Sequence, residues 1–412
     1  MKRYRRTITA QYLTVILIIG SVVGFGFLSF FVMNQVPFTD HFVIPWSAGR
    51  AWLLEGENPY TPTIENNAQS AINESGLLAV LPETRELSIP LLTLFLYLPF
   101  SLMPYSISRI IWMVMVAVSI GIIVLISIRF SGWKLTTVGK TSIVVLMLFW
   151  LPSAQAILTG ELIPIIIALT FIALFLLFNG QETTAGFLLA LTFSSFPING
   201  LILLFLIIWS ISHQHWSVLS SFFSGVAFLL VLSWLILPSW FMDWAAIIFN
   251  LYFEWDWINT PLMNLAALLP GIESFLVYFL HAAFGLFWIV LLITALKKSG
   301  QIMIFKLCAV LIVAYLINIQ NAIFLLLLAG PASYLVFRFL SERWRLFGNI
   351  LSWGLLLIIS LGAWVLVIPD IEFTTPNFVP VLSLGYPLFI LFGLYWIRWW
   401  ALRIPNLPYE TL

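Results

Sequence analysis

Asp40 is the acid of this chain best placed to move a proton. It follows a long apolar run, 10–33, and precedes a second apolar stretch, 42–54, with His41 beside it. An ionisable group at a membrane edge is costly to keep, so it is a functional candidate by default. A carboxylate there could take the proton of a bound hydroxyl. The plainer role is to cap a helix that starts near His41. Six further acids of segment 34–88, Glu55, Glu57, Glu65, Glu74, Glu83 and Glu86, read as a solvated face.

A second concentration of polar groups lies in 238–273. There Trp240, Trp244, Trp255 and Trp257 stand among Asp243, Glu254, Asp256, Asn259 and Asn264. Aromatic residues belong at membrane interfaces, and that accounts for most of them singly. As a cluster they also suit a sugar, whose C–H face packs on rings while amides and carboxylates take its hydroxyls. His281, about two turns into its apolar run, fits a helix–helix hydrogen-bonding group. Asn318, Gln320 and Asn321 form a polar turn, and Glu161 marks another turn in LTGELIP.

The elements that must position these groups follow from composition and charge. The chain is 62% hydrophobic and 8% charged, the balance of a polytopic membrane protein rather than a soluble globule. Besides 10–33, read as an uncleaved anchor, apolar runs occupy 107–129, 141–158, 162–178, 184–196, 197–211, 217–237, 274–296, 302–317, 321–337, 347–368 and 380–400. That makes an all-α bundle of about twelve spans. With the N-terminal MKRYRR inside, every Lys and Arg except Arg50, Arg85 and Arg109 falls on the cytoplasmic side, and so do both termini. Segment 87–103 must then be interfacial or re-entrant, since a crossing there would invert every later loop. Stretch 42–54 fits a short amphipathic helix in the interface, ended by Gly56, Asn58 and Pro59. One membrane domain covers 1–406, with extracytoplasmic loops 34–88 and 238–273, and 407–412 is a tail.

Several function classes are disfavoured. A net charge of +1 gives no reason to expect nucleic acid, and the single cysteine, Cys308, forms no intrachain disulfide. No phosphate-binding glycine loop, dinucleotide fingerprint or zinc-ligand cluster appears. Glu254 and Asp256 alone are a weak metal signal. No internal repeat is evident.

The stretch TDHFVIPWSAGRAWLLEGENPY, 39–60, resembles the opening motif of glycosyltransferase family 87: an Asp, a spaced Ala, then G-x-x-P-Y ending at Tyr60. The resemblance continues in LPFSLMPYSISRIIW, in TGELIPIIIALT and in TAGFLLALTFSSFPINGLILL. It implies a GT-C membrane fold and a polyprenyl-phosphate sugar as donor. It also implies an acceptor glycosylated on the extracytoplasmic face of the cell membrane, with Asp40 as the catalytic carboxylate. Two positions depart from the family pattern. Glu161 follows Gly160 where a Gln is frequent, and Phe196 precedes Pro197 where a Lys is frequent.

Inverting transfer of a hexose, mannose among them, requires one carboxylate to take the acceptor's proton. It also requires donors for the leaving phosphate. Arg109, His281 and Arg50 are the outer-side cations for that role. His41, Tyr60, Trp255, Asp256, Trp257, Asn259 and Asn264 are the groups for sugar or acceptor. The scheme calls for no cofactor or metal. The expected partners are the lipid-linked donor, a lipid or glycan acceptor and the surrounding lipids. A transporter or flippase of lipid-linked glycans would instead place charges near mid-bilayer. A glycan ligase or polymerase would favour outer arginine pairs. The one-sided crowding of polar groups here favours the transferase.

Overall fold

The computed structural model of the chain describes residues 37–82, 86–254, 260–266, 269, 271–296, 300–318, 323–367 and 381–400, together with Gly20 and Gly24. The expected anchor 10–33, the tail 407–412 and the candidate residues Trp255, Asp256, Trp257 and Asn259 lie outside these, as does the side chain of Asn264.

The described residues are helical but for one short parallel pair, β1 (Phe38–Thr39) with β2 (Ala79–Val80). Among the described residues four helices are long and apolar enough to cross a membrane: Tyr105–Ser131, Trp216–Ile236, Glu273–Ala295 and Ile323–Trp344. A fifth span is possible if the pair Thr137–Leu148 and Leu151–Thr159, bent by 61°, counts as one. The bend has a local cause. Trp150 takes an extended backbone, and Pro152 has no N–H to continue the first helix. The remaining apolar runs form helices of 10–17 residues. At 1.5 Å per residue, all of these are shorter than a hydrocarbon core of about 30 Å.

Segment 87–103 folds as two four-residue helices, Leu91–Leu94 and Leu98–Ser101, neither able to cross. The segment Gly330–Val367 is helical by backbone yet doubles back on itself. Ser352 donates to the Phe337 carbonyl, 15 residues earlier, at 3.0 Å, a reach no straight helix allows. Gly348 lies at this fold, where a Cβ would strike the Leu340 carbonyl. The fold carries Arg338, Arg343 and Arg345, the basic loop expected between two spans.

One expectation is corrected. The helix after Asp40, α1 (Val43–Arg50), is no amphipathic helix floating in an interface; Val43 through Gly49 are all buried. Leu98–Ser101 covers one side, with Ser101 Oγ donating to the Trp46 carbonyl at 3.0 Å and Trp46 Nε1 to the Phe100 carbonyl at 3.0 Å. Thr63–Ser75 covers another, with Ser47 donating to the Ile64 carbonyl. Because α1 carries no charge before Arg50, nothing in it opposed full burial.

Candidate active site

Asp40 leaves the end of β1 with its N–H bonded to the Val80 carbonyl at 2.9 Å. Its side chain turns back, and Oδ1 accepts from the Phe42 N–H at 2.8 Å, the local turn that Asp residues favour. Helix α2 (Tyr105–Ser131) meets it from the bundle. Tyr105, Arg109 and Trp112 recur at helical spacing and so share one face. Arg109 Nε donates to Asp40 Oδ2 at 2.9 Å, and both side chains are 0% exposed. The Tyr105 hydroxyl donates to the same oxygen. A buried carboxylate thus has a guanidinium, a phenol and a backbone amide around it, which is what keeps a charge tolerable there.

Arg109 also reaches past Asp40. Its Nη2 donates to the Leu158 carbonyl, while Nη1 is buried without a hydrogen-bond partner among the described residues. Trp112 Nε1 donates to the Gly160 carbonyl at 2.9 Å, and the His41 N–H to the Thr159 carbonyl at 2.8 Å. The turn closing Leu151–Thr159 is therefore tied from two directions beside Asp40. Gly160 is required in it: its φ is +72°, and a Cβ would come within 3.0 Å of both Arg109 Cζ and Phe42 Cβ. Gly160→Ala combines backbone strain with crowding. We expect a loss of roughly 1–3 kcal/mol, read as a lower unfolding temperature of the purified protein. An unchanged unfolding temperature would show that the turn adapts freely.

Glu161 follows in the same turn. Its carboxylate lies 3.6 Å from His41 Nε2, with the imidazole 41% exposed and the carboxylate 15% exposed. Burial raises the proton affinity of Glu161, and the neighbouring imidazole opposes the rise. The Tyr97 phenol is pushed up by burial, then by the charges of Glu161 and Asp40, so both carboxylates act on one buried point. Tyr97 stacks on Trp112 at 4.4 Å, and Phe42 packs on Trp112 at 5.0 Å, giving the site an aromatic floor.

The other expected residues are placed as follows. Tyr60 is buried and its hydroxyl donates to the Ile89 carbonyl at 3.2 Å. The loop it belongs to is braced against helix Trp240–Glu254. Asn58 Nδ2 and Ser239 Oγ both donate to Asp243 Oδ2 at 2.8 Å, and Trp244 Nε1 donates to the Ser88 carbonyl at 3.0 Å. Arg50 donates to the Ser101 carbonyl at 3.3 Å and lies over the Trp46 ring. His281 Nδ1 contacts its own helix at the Val277 carbonyl, 2.8 Å. Asn264 lies on helix Pro261–Ala266. Of the expected cations, Arg109 is therefore the one joined to Asp40. Tyr105, Trp112 and Gly160 were not singled out by sequence reasoning. The spacing of Tyr105, Arg109 and Trp112 on one helical face was the signal available.

An acid buried among apolar helices, paired and walled by aromatic rings, is an arrangement that suits a membrane group-transfer enzyme. The chain matches the family model of glycosyltransferase family 87 over residues 90–318 and belongs to that family. It is thus a membrane glycosyltransferase acting on sugar donor and acceptor substrates. Arg109, Gly160 and Glu161 fall within the matched residues; Asp40 and His41 precede them. No curated protein matches the chain.

Proposed function

We propose that the protein transfers a hexose from a polyprenyl-phosphate donor to a lipid or glycan acceptor, with inversion at the anomeric carbon. Catalysis takes place on the extracytoplasmic face of a multi-pass GT-C bundle of about twelve spans whose termini are both cytoplasmic. Asp40 is the general base. The observation that carries this reading is the state of its carboxylate. Three donors address it, yet among the described residues Oδ1 accepts one hydrogen bond, from Phe42. Oδ1 thus retains a lone pair for an acceptor hydroxyl.

The acceptor oxygen attacks C1 as its proton passes to Asp40. The bond from C1 to the phosphate oxygen breaks, and its electron pair leaves on the polyprenyl phosphate. Arg109 keeps Asp40 in place, and its Nη1, which has no partner among the described residues, is a donor for the departing anion. Because Asp40 is sealed, an acceptor reaches it only as the wall around it gives way. Substrate binding and assembly of the site are then one event. A prenyl chain can lie between spans while its headgroup meets the outer loops, which accounts for catalysis within a membrane domain.

The test is donor choice. Purified protein in proteoliposomes should move labelled hexose from a polyprenyl-phosphate sugar, with the product anomer inverted, and not from a nucleotide sugar. Transfer from the nucleotide sugar alone would overturn the proposal.

A further inference from the structure

Asp40 and Arg109 are sealed, whereas His41, the residue between Asp40 and α1, keeps an imidazole 41% exposed beside the Glu161 carboxylate. Three ties hold the turn that carries Glu161 against the backbone of His41. The His41 N–H holds the Thr159 carbonyl, Trp112 holds the Gly160 carbonyl, and Arg109 holds the Leu158 carbonyl. His41 and Glu161 therefore face each other on rigid supports.

In-line transfer limits where the donor phosphate can lie. The Asp40 oxygen, acceptor oxygen, C1, bridging oxygen and phosphorus follow one another, so phosphorus stands roughly 6–8 Å from the carboxylate. Adjacent Cα atoms are about 3.8 Å apart, so an imidazole on the next residue can reach that position. Arg50 sits at the far end of α1, roughly 10 Å further along the helix. His281 contacts the carbonyl of its own helix. Arg109 commits Nε to Asp40 and Nη2 to Leu158 beneath the Phe38 ring, so it offers the phosphate Nη1 alone and leaves room for a second ligand.

We propose that His41 is a ligand of the lipid phosphate, oriented through Nε2 by Glu161 so that Nδ1 meets the phosphate oxygens. The inference rests on the polyprenyl-phosphate reading and adds a binding group to it. Its chemistry is that of a charge-assisted hydrogen bond. An imidazolium donates both N–H groups, one to the orienting carboxylate and one to the anion. The charged side chain facing His41 is Glu161, and the Asp40–Arg109 pair begins one residue away along the chain. With Asp40 neutralised by Arg109, an arriving phosphate adds negative charge beside an imidazole already flanked by Glu161. On transfer, the negative charge growing on the leaving oxygen strengthens the same hydrogen bond. Glu161 is a positioning residue: it touches His41 and not the substrate.

The experiment compares binding of a polyprenyl phosphate with that of the matching polyprenol by purified full-length protein. Inorganic phosphate serves as a third ligand, to separate a lipid headgroup from a free anion. His41→Gln should weaken polyprenyl phosphate about tenfold, the scale of one charge-assisted hydrogen bond, and leave polyprenol unchanged. His41→Arg should retain the preference for phosphate. Glu161→Gln should weaken polyprenyl phosphate in the same direction, because the imidazole loses its orienting partner, and leave polyprenol unchanged. A purely structural role would lower binding of phosphate and alcohol together. If wild-type protein prefers the phosphate and His41→Gln keeps that preference, the assignment of His41 falls while the donor class stands. If wild-type protein shows no preference for the phosphate over the alcohol, the donor class itself falls and the assignment with it. Equal gains from inorganic phosphate alone would make the site one for free anions and reject the lipid headgroup.

Discussion

Asp40→Asn is expected to lower sugar transfer by roughly two to four powers of ten, the usual contribution of a general base. The substitution preserves shape and removes the proton acceptor. The structure adds a cost. Asp40 Oδ1 accepts from Phe42 N–H, and Oδ2 accepts from Tyr105 and Arg109. An amide supplies one acceptor atom and one donor atom. In either orientation its NH2 faces a donor, and the Arg109 charge loses its partner inside the fold. The protein should therefore remain folded but unfold at a lower temperature, and activity must be normalised to folded protein. The helix-cap alternative makes a different forecast, because Asn caps as well as Asp and would keep both properties. Labelled-sugar transfer by the purified variant decides between them. Turnover close to that of the unmodified protein would remove Asp40 as the base and leave Glu161 as the next carboxylate. Asp243 would be a poorer substitute, since Asn58 and Ser239 already donate to it.

The class of molecule could be read from local features, and so could the candidacy of Asp40. Apolar runs and the sidedness of Lys and Arg report on each segment alone, and the motif around Asp40 is contiguous. What joins Asp40 to Arg109 could not be read this way. They lie 69 residues apart, and nothing in either segment states which cation an acid will find. Arg109 was visible as one of three outer cations, and only packing selected it over Arg50 and His281. The same holds for α1. Its Trp46, and Trp52 just beyond it, suggest a helix resting on lipid headgroups, but Leu98–Ser101 and Thr63–Ser75 close over α1. A helix's own residues do not record what covers it. The pairing of His41 with Glu161 was hidden for a further reason: each stood in a turn where a polar residue needs no special cause.

Arg109→Met is expected to be the most destabilising single change at the site, at about 3–5 kcal/mol. The methionine fills most of the volume, so the loss comes from charge rather than from a cavity. Asp40 would keep the Tyr105 hydroxyl and the Phe42 amide but remain an uncompensated anion at 0% exposure. The Leu158 carbonyl would lose its donor as well, and the turn carrying Gly160 and Glu161 would loosen. Arg109→Lys keeps a charge but has no second arm to span Asp40 and Leu158 together, so it should fall between the two. The double variant Asp40→Asn with Arg109→Met tests the cause. With the anion gone, the two losses should not add, and the shortfall should be about 1–3 kcal/mol. Unfolding of purified protein by denaturant or heat supplies these values. Strict additivity would mean that the two side chains do not sense each other, and the site would then lack the ion pair on which both its stability and its proposed chemistry depend.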